Sequence, residues 1–534
     1  MIDLRPIAIR GRWNSFLVFA AFAMTLFGIK LWLIGTYGNS TPLWDQWEAE
    51  ASRLYRPYLD GTLRWSILLE AHNEHRIFTH RVLSLALFVI NKTWNPLFQM
   101  VVNALVHIFA LGLGIAMLTR VVGREHLLAL ILFCLLLFGI PFSWENTLCS
   151  FQAQFYLVLL FSLCGIWFLA SALPLSVRWW VGVACAVLAF LSMASGVLVP
   201  AAAAVVGLVW FASKRRRTSK QLIAVLILCG LFVLGMLLTP GVFSSNSTDL
   251  KATSLAQFFD AWGAGLGWPI ASSFIAALAR NLPALVFLGF MLRNRPVADD
   301  RRWFLLALVV WVFAQSVTMA YGRAVGSLAS RYLDMFAFGV LVNFACLISV
   351  TPSRFGRWRS GRMAACGAWV VAVVISLGLD ADGHLPAQLA ERHTIQRAHE
   401  LNTRNYVVTN DFAWLKDKSF LEVPFFVPRR LAVLLSFPTI RSFLPAEISP
   451  PLIPSSIETN PLDAFVEHGC YPTTPRRADW TLGSYTSRGD AAIGRASICF
   501  DSMHEGAELA IPLAGYPSNP DCGIEVEQNG RRRS

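Results

Sequence analysis

Charge is the first scarcity in this chain. Only 15% of its 534 residues are Asp, Glu, Lys or Arg, 55% are apolar, and the mean hydropathy is +0.52. That make-up excludes an ordinary soluble domain and reads as a polytopic membrane protein. Internal repeats and low-complexity tracts are missing too, which excludes a solenoid. No A-x-A cleavage site follows the first apolar run, which is also longer than a signal-peptide core, so it reads as a retained spanning helix behind Arg5, Arg10 and Arg12. A net charge of +12 could suggest nucleic acid. The basic residues, however, fall in short clusters between apolar runs, which is membrane topology, and no nucleic-acid partner is expected.

What is abundant is apolar sequence in windows long enough to cross a bilayer. About eleven are expected, at 15–37, 97–119, 127–142, 154–173, 179–193, 197–213, 221–239, 267–292, 303–321, 332–350 and 363–379. The segment 81–92 is apolar but too short, and is placed in the membrane interface. Alternate loops carry Arg120 and Arg124, Arg178, Lys214 to Arg217, Arg293 to Arg302, and Arg354 to Arg362, whereas 143–152, 192–196 and 241–262 carry only Lys251. By the positive-inside rule the N-terminus is cytoplasmic. The first outer loop (38–96) and the C-terminal part then lie on the periplasmic side of a bacterial-type inner membrane.

The fold class expected is therefore an all-α polytopic domain over 1–380, followed by a small non-cytoplasmic α+β or β-rich domain over 381–534. In the latter, L-A-E-R-H-T-I-Q-R-A-H-E-L reads as amphipathic helix. W-T-L-G-S-Y-T, G-R-A-S-I-C-F and E-L-A-I-P-L-A-G-Y-P read as short strands. Six cysteines (134, 164, 185, 229, 346, 366) fall in apolar runs as small buried hydrophobes, and a disulfide is allowed among Cys470, Cys499 and Cys522.

The densest polar cluster is Trp44 to Arg81, directly after the first span. W-D-Q-W-E-A-E-A-S-R is expected to be helical to about Arg56, where Pro57 stops it, with Asp45, Glu48 and Ser52 on one face. Asp45 is either a solvated cap between two headgroup-level tryptophans or a general base, with Glu48 sharing the site or tuning it. In H-N-E-H-R, residues His72, Asn73, Glu74, His75 and Arg76 either bind substrate or form a plain interfacial face, with His72, Arg76 and His80 recurring along a second helix. The spacing is not that of H-E-x-x-H zinc sites. Should a divalent cation be used, Asp45, His72 and His75 are its ligands. A third candidate is the loop ending A-S-R-Y, where Arg323 and Arg331, beside Tyr332, stand on the side that the topology otherwise keeps free of arginine. They serve as snorkelling anchors or as forks for a lipid-linked phosphate. Glu145, Asn146, Gln152 and Gln154 sit at the same membrane face.

An acid straight after the first span, an outer loop with two amphipathic helices, about eleven spans and an outer C-terminal domain resemble the GT-C superfamily of integral-membrane glycosyltransferases. That superfamily includes protein O-mannosyltransferases, lipid A aminoarabinose transferases and arabinosyltransferases. The resemblance implies a polyprenyl-phosphate sugar donor, a glycan, lipid or protein acceptor outside the cytosol, Asp45 as base, and Arg323 and Arg331 on the donor phosphate. Asp45-Gln46 stands where many members have two adjacent acids. The rival expectations are a polysaccharide polymerase or ligase, and a transporter of lipid-linked sugars. A transporter more often shows two related halves or charges inside the spans, and neither is expected from this sequence.

Overall fold

The structure, a computed structural model, describes residues 12–213, 217–240, 250–326, 328–350 and 359–449, and beyond them short stretches between 456 and 533. Among the described residues nine helices are long and apolar enough to cross a membrane: Ser15–Tyr37, Pro96–Val122, Ser150–Ser171, Ala194–Ala212, Ser219–Leu238, Phe274–Asn294, Arg302–Gly322, Ser330–Val350 and Met363–Thr409. The chain is a multi-pass, all-α membrane protein. Two of the expected spans are shorter than a bilayer asks: Leu127–Gly139 has 13 residues and Val177–Ser192 has 16. The expected span at 267–292 is divided. A 13-residue helix, Leu255–Gly267, folds against Phe274–Asn294, because Pro269 and the serines Ser272 and Ser273 interrupt the run.

One apolar core runs the length of the bundle, built from Leu111, Leu118, Leu130, Ile166, Trp210, Phe304, Trp311 and Phe338 among others. Leu226, Leu237 and Phe109 stay exposed on helix surfaces, an apolar face that lipid would cover. Of the cysteines in these runs, Cys134 and Cys346 are buried as expected, while Cys229 faces outward. Contrary to expectation, charges do enter the apolar helices. Lys30 is buried and donates to Thr147 Oγ1 at 3.0 Å, and buried Arg280 donates to Phe336 O at 2.6 Å. Both lie roughly two turns in from a helix end, within reach of polar groups there.

Contacts between loops sort the helix ends into two groups. Arg323 reaches Glu74, Thr79 reaches Ser192, Arg76 reaches Leu238, Glu145 reaches Ser330, and Trp268 reaches Asp380. Arg301 reaches Arg120 at the other end. Consecutive helices thus run up and down, and the polar loops gather at one end. Above them the helix Arg359–Thr409 continues unbroken past residue 381, with Pro386 inside it. Residues 406–448 pack with Trp47, Leu54, Tyr55, Phe88 and Trp94 into a second core over the loop that follows the first span. Farther on, Ser456–Asn460 pairs antiparallel with Arg495–Cys499, and two smaller strand pairs follow. Cys470, Cys522, Arg5, Arg10, Arg215, Arg216, Arg354, Arg357 and most of the expected strand at W-T-L-G-S-Y-T lie outside the described residues, as does E-L-A-I-P-L-A-G-Y-P.

Candidate functional site

The loop that follows the first span departs from the two plain helices expected of it. Trp47–Tyr55 is a π-helix, a wide turn often found at functional sites, and it passes directly into the helical turn Arg56–Leu59. Pro57 does not stop it, since a proline in the first turn of a helix loses no hydrogen bond. His72, Arg76 and His80 do not share a helix. Ala71–His72 and His75–Arg76 form a tight antiparallel hairpin, and His80 belongs to the separate helix Phe78–Asn91. Asn73 makes this turn possible. It takes φ +51°, a left-handed conformation that asparagine tolerates and most residues resist.

The π-helix is anchored by Glu50, which no exposed surface reaches. Its Oε1 accepts from His80 Nε2, Ser84 Oγ and Gln99 Nε2, each at 2.9 Å, and its Oε2 accepts from Gln46 Nε2 at 2.8 Å and Trp94 Nε1 at 3.2 Å. Burial raises the carboxyl pKa, and the donors of His80, Gln46 and Gln99 more than reverse that, so it sits below the ordinary range. Gln46 also donates to Ser150 Oγ at 2.6 Å, tying the stretch beside Asp45 to the first turn of the third long helix.

Around this anchor the acids are distributed unequally. Glu48 is held by Arg430 (Nη2 to Oε1, 2.9 Å), not by Asp45. Glu74 takes both guanidinium nitrogens of Arg323, at 3.0 and 3.3 Å, and Arg323 Nε donates to Tyr332 Oη at 3.1 Å. Burial raises the Glu74 pKa and Arg323 lowers it further, leaving it below the usual value. Glu145 pairs with Arg331, accepting from its Nη1 at 3.4 Å and its backbone N–H at 3.0 Å. Arg76 is spent on backbone carbonyls, Leu69 O at 2.7 Å and Leu238 O at 3.3 Å. Asn73 stands exposed at the hairpin tip.

Asp45 is different. Its side chain is 39% exposed, and among the described residues its close contact is His72 Nε2, 3.4 Å from Oδ1, near enough for Coulomb attraction but without the alignment of a hydrogen bond. An open carboxylate beside an imidazole, with no arginine on it, can accept a proton. His75 is turned away: its Nδ1 accepts from the Ala194 N–H at 3.4 Å, and the ring is neutral, because burial lowers its pKa to about 4. Among the described residues no three His, Cys, Asp or Glu side chains converge as metal ligands. The set Asp45, His72 and His75 is therefore not brought together as one.

The neutral His75 gives a pH prediction. The unfolded imidazole binds a proton near its ordinary 6.5 and the folded one near 4, so over that window the unfolded state takes up more protons and stability falls as pH drops from 6.5 toward 4. Above 7 both forms are neutral and the effect vanishes. Thermal midpoints of the purified protein across this range are expected to show the fall, and His75→Asn to flatten it. Equal slopes would mean that other groups cause it.

Sequence reasoning missed Arg392. It lies on the long helix, is 5% exposed, and faces the rings of Trp44 (5.7 Å to the centroid) and Trp144 (6.0 Å). The available signal was the stripe Arg392, Gln396, His399 and Thr403, polar at helical spacing yet wholly turned inward. A hollow of about 480 Å³ lined by Asn410, Ser436, Pro438, Arg441 and Ser442 shares no residue with this cluster. Compared with family models, with curated proteins and with solved structures, the chain matches none of them.

Proposed function

We propose that the protein is an inverting glycosyltransferase that moves a sugar from a polyprenyl-phosphate donor to a hydroxyl acceptor at the non-cytosolic face of the membrane. The observation that carries this reading is that, among the described residues, Asp45 alone of Asp45, Glu48, Glu74 and Glu145 has no arginine on its carboxylate. The acceptor O–H gives its proton to Asp45 as its oxygen attacks the anomeric carbon. The carbon–oxygen bond to phosphate breaks, and the lipid phosphate leaves with the electron pair. His72 steadies the Asp45 carboxylate. Arg323 and Arg331, which meet at Tyr332 and are each paired with an acid, would lend the leaving phosphate secondary donors. Asn73, Glu74, His75 and Arg76 form the hairpin wall that sets where His72 stands.

A transporter of lipid-linked sugars is the second reading, favoured by Lys30 and Arg280 inside apolar helices. Both already have partners there, which suits a structural role. The two readings separate in nanodiscs supplied with a radiolabelled polyprenyl-phosphate sugar and an acceptor glycan. The transferase is expected to release free polyprenyl phosphate and label the acceptor. Intact donor after prolonged incubation with a panel of sugars and acceptors contradicts it.

A further inference from the structure

Among the described residues, matching the acids and arginines of the cluster pairwise leaves Asp45 without an arginine, and Arg76, Arg81 and Arg392 without an acid, of which Arg76 and Arg81 are taken up by backbone carbonyls. Glu74 neutralises Arg323, Glu145 neutralises Arg331 and Glu48 neutralises Arg430. Asp45 is next in sequence to Trp44, and Arg392 faces the ring of that tryptophan. Arg392 makes no ion pair among the described residues. Its one hydrogen bond is to Gln396, whose amide, oriented to satisfy both neighbours, accepts from Arg392 Nη2 at 3.1 Å and donates to Tyr37 O at 2.7 Å. The acidic groups that face it are the Cys149 thiol and Glu145, and Glu145 is already taken by Arg331.

A guanidinium buried to this degree without a carboxylate is costly, and such a group is normally paired. The walls around it are donor-bearing rather than acidic. The Trp44 indole N–H is buried and has no acceptor among the described residues, as is the hydroxyl of Thr41 three residues before it. Trp144 is fixed by its own bond to Gln388 Oε1 at 3.0 Å. A cation with spare forked donors, beside an unsatisfied N–H, is complementary to a tetrahedral oxyanion.

We propose that Arg392, walled by Trp44 and Trp144, is the seat of a phosphate group, and that its occupant is the phosphate of a lipid-linked donor. The choice of a lipid source rests on the transferase reading; the seat itself does not.

Full-length protein in detergent, titrated with farnesyl phosphate or with inorganic phosphate while tryptophan fluorescence is followed, tests this. Farnesyl phosphate is expected to bind, and Arg392→Gln to weaken it roughly 10-fold or more, the loss of a charge-assisted pair. Arg392→Lys, which keeps the charge but not the fork, is expected to weaken it by at least ~3-fold. Arg301→Gln, at the opposite end of the bundle, is expected to stay within ~3-fold of wild type. Unchanged affinity in Arg392→Gln overturns the seat, and should that variant not fold, unchanged affinity in Arg392→Lys does so. Inorganic phosphate bound in an Arg392-dependent way while farnesyl phosphate is ignored rejects the lipid source. Arg392-dependent binding of farnesyl phosphate with no sugar transfer by any donor sinks the transferase reading and leaves the seat standing.

Discussion

Glu50→Ala is expected to cost about 3–5 kcal/mol, because it leaves a set of buried donors with no acceptor. His80, Ser84, Gln99, Gln46 and Trp94 all converge on this one carboxylate, and none can turn to water. Glu50→Gln keeps the volume but turns one acceptor oxygen into a donor facing donors, so it is also destabilising, by less. Thermal unfolding in detergent, followed through Trp47 and Trp94, whose rings meet edge to face at 5.2 Å, reads the change. The midpoint is expected to fall by roughly 3–5 °C in the alanine variant. A shift of only one or two degrees would mean that the second apolar core, and not this network, holds the outer loop in place.

The contrast between Glu50 and Asp45 shows how much of the site was legible in the sequence. Asp45 stood out because it follows the first apolar run and sits between Trp44 and Trp47, which is local information. Glu50 lies five residues on in the same stretch and looks like any solvated acid. Its meaning comes from Ser84, Trp94 and Gln99, brought to it by folding. The same holds for pairing: Glu74 with Arg323 and Glu145 with Arg331 each join residues more than 180 positions apart. Their presence at one face followed from topology, but which acid meets which arginine did not. The hairpin at His72–Arg76 was misread because i, i+4 spacing is compatible with a helix, while the decisive element is one left-handed residue, Asn73. The long apolar helices were legible from composition alone. Their shortest members were not, because apolar residues in short connecting helices count toward a spanning window as well.

Of the residues in the cluster, Asp45 is the one on which transfer depends most. A carboxylate that serves as base works by accepting a proton, and Asp45→Asn removes that capacity while keeping size and polarity. Transfer is therefore expected to fall by roughly 10²-fold or more, with little change in stability. Little change in stability follows from the structure: among the described residues the Asp45 carboxylate caps no backbone N–H, and its one close partner, His72, is 3.4 Å away. Were Asp45 only a surface cap, asparagine would replace it almost without effect, because the two cap a helix about equally well. Glu48→Gln separates the two neighbouring acids, since it breaks the bond to Arg430 and is expected to loosen the outer domain more than it slows transfer. The most direct measurement is the rate of label transfer from a polyprenyl-phosphate sugar to acceptor by wild-type and Asp45→Asn proteins in nanodiscs, with donor binding checked on the same samples. Intact binding with transfer lowered at least roughly 100-fold is the predicted result, and transfer by the folded Asp45→Asn protein at close to the wild-type rate would contradict it.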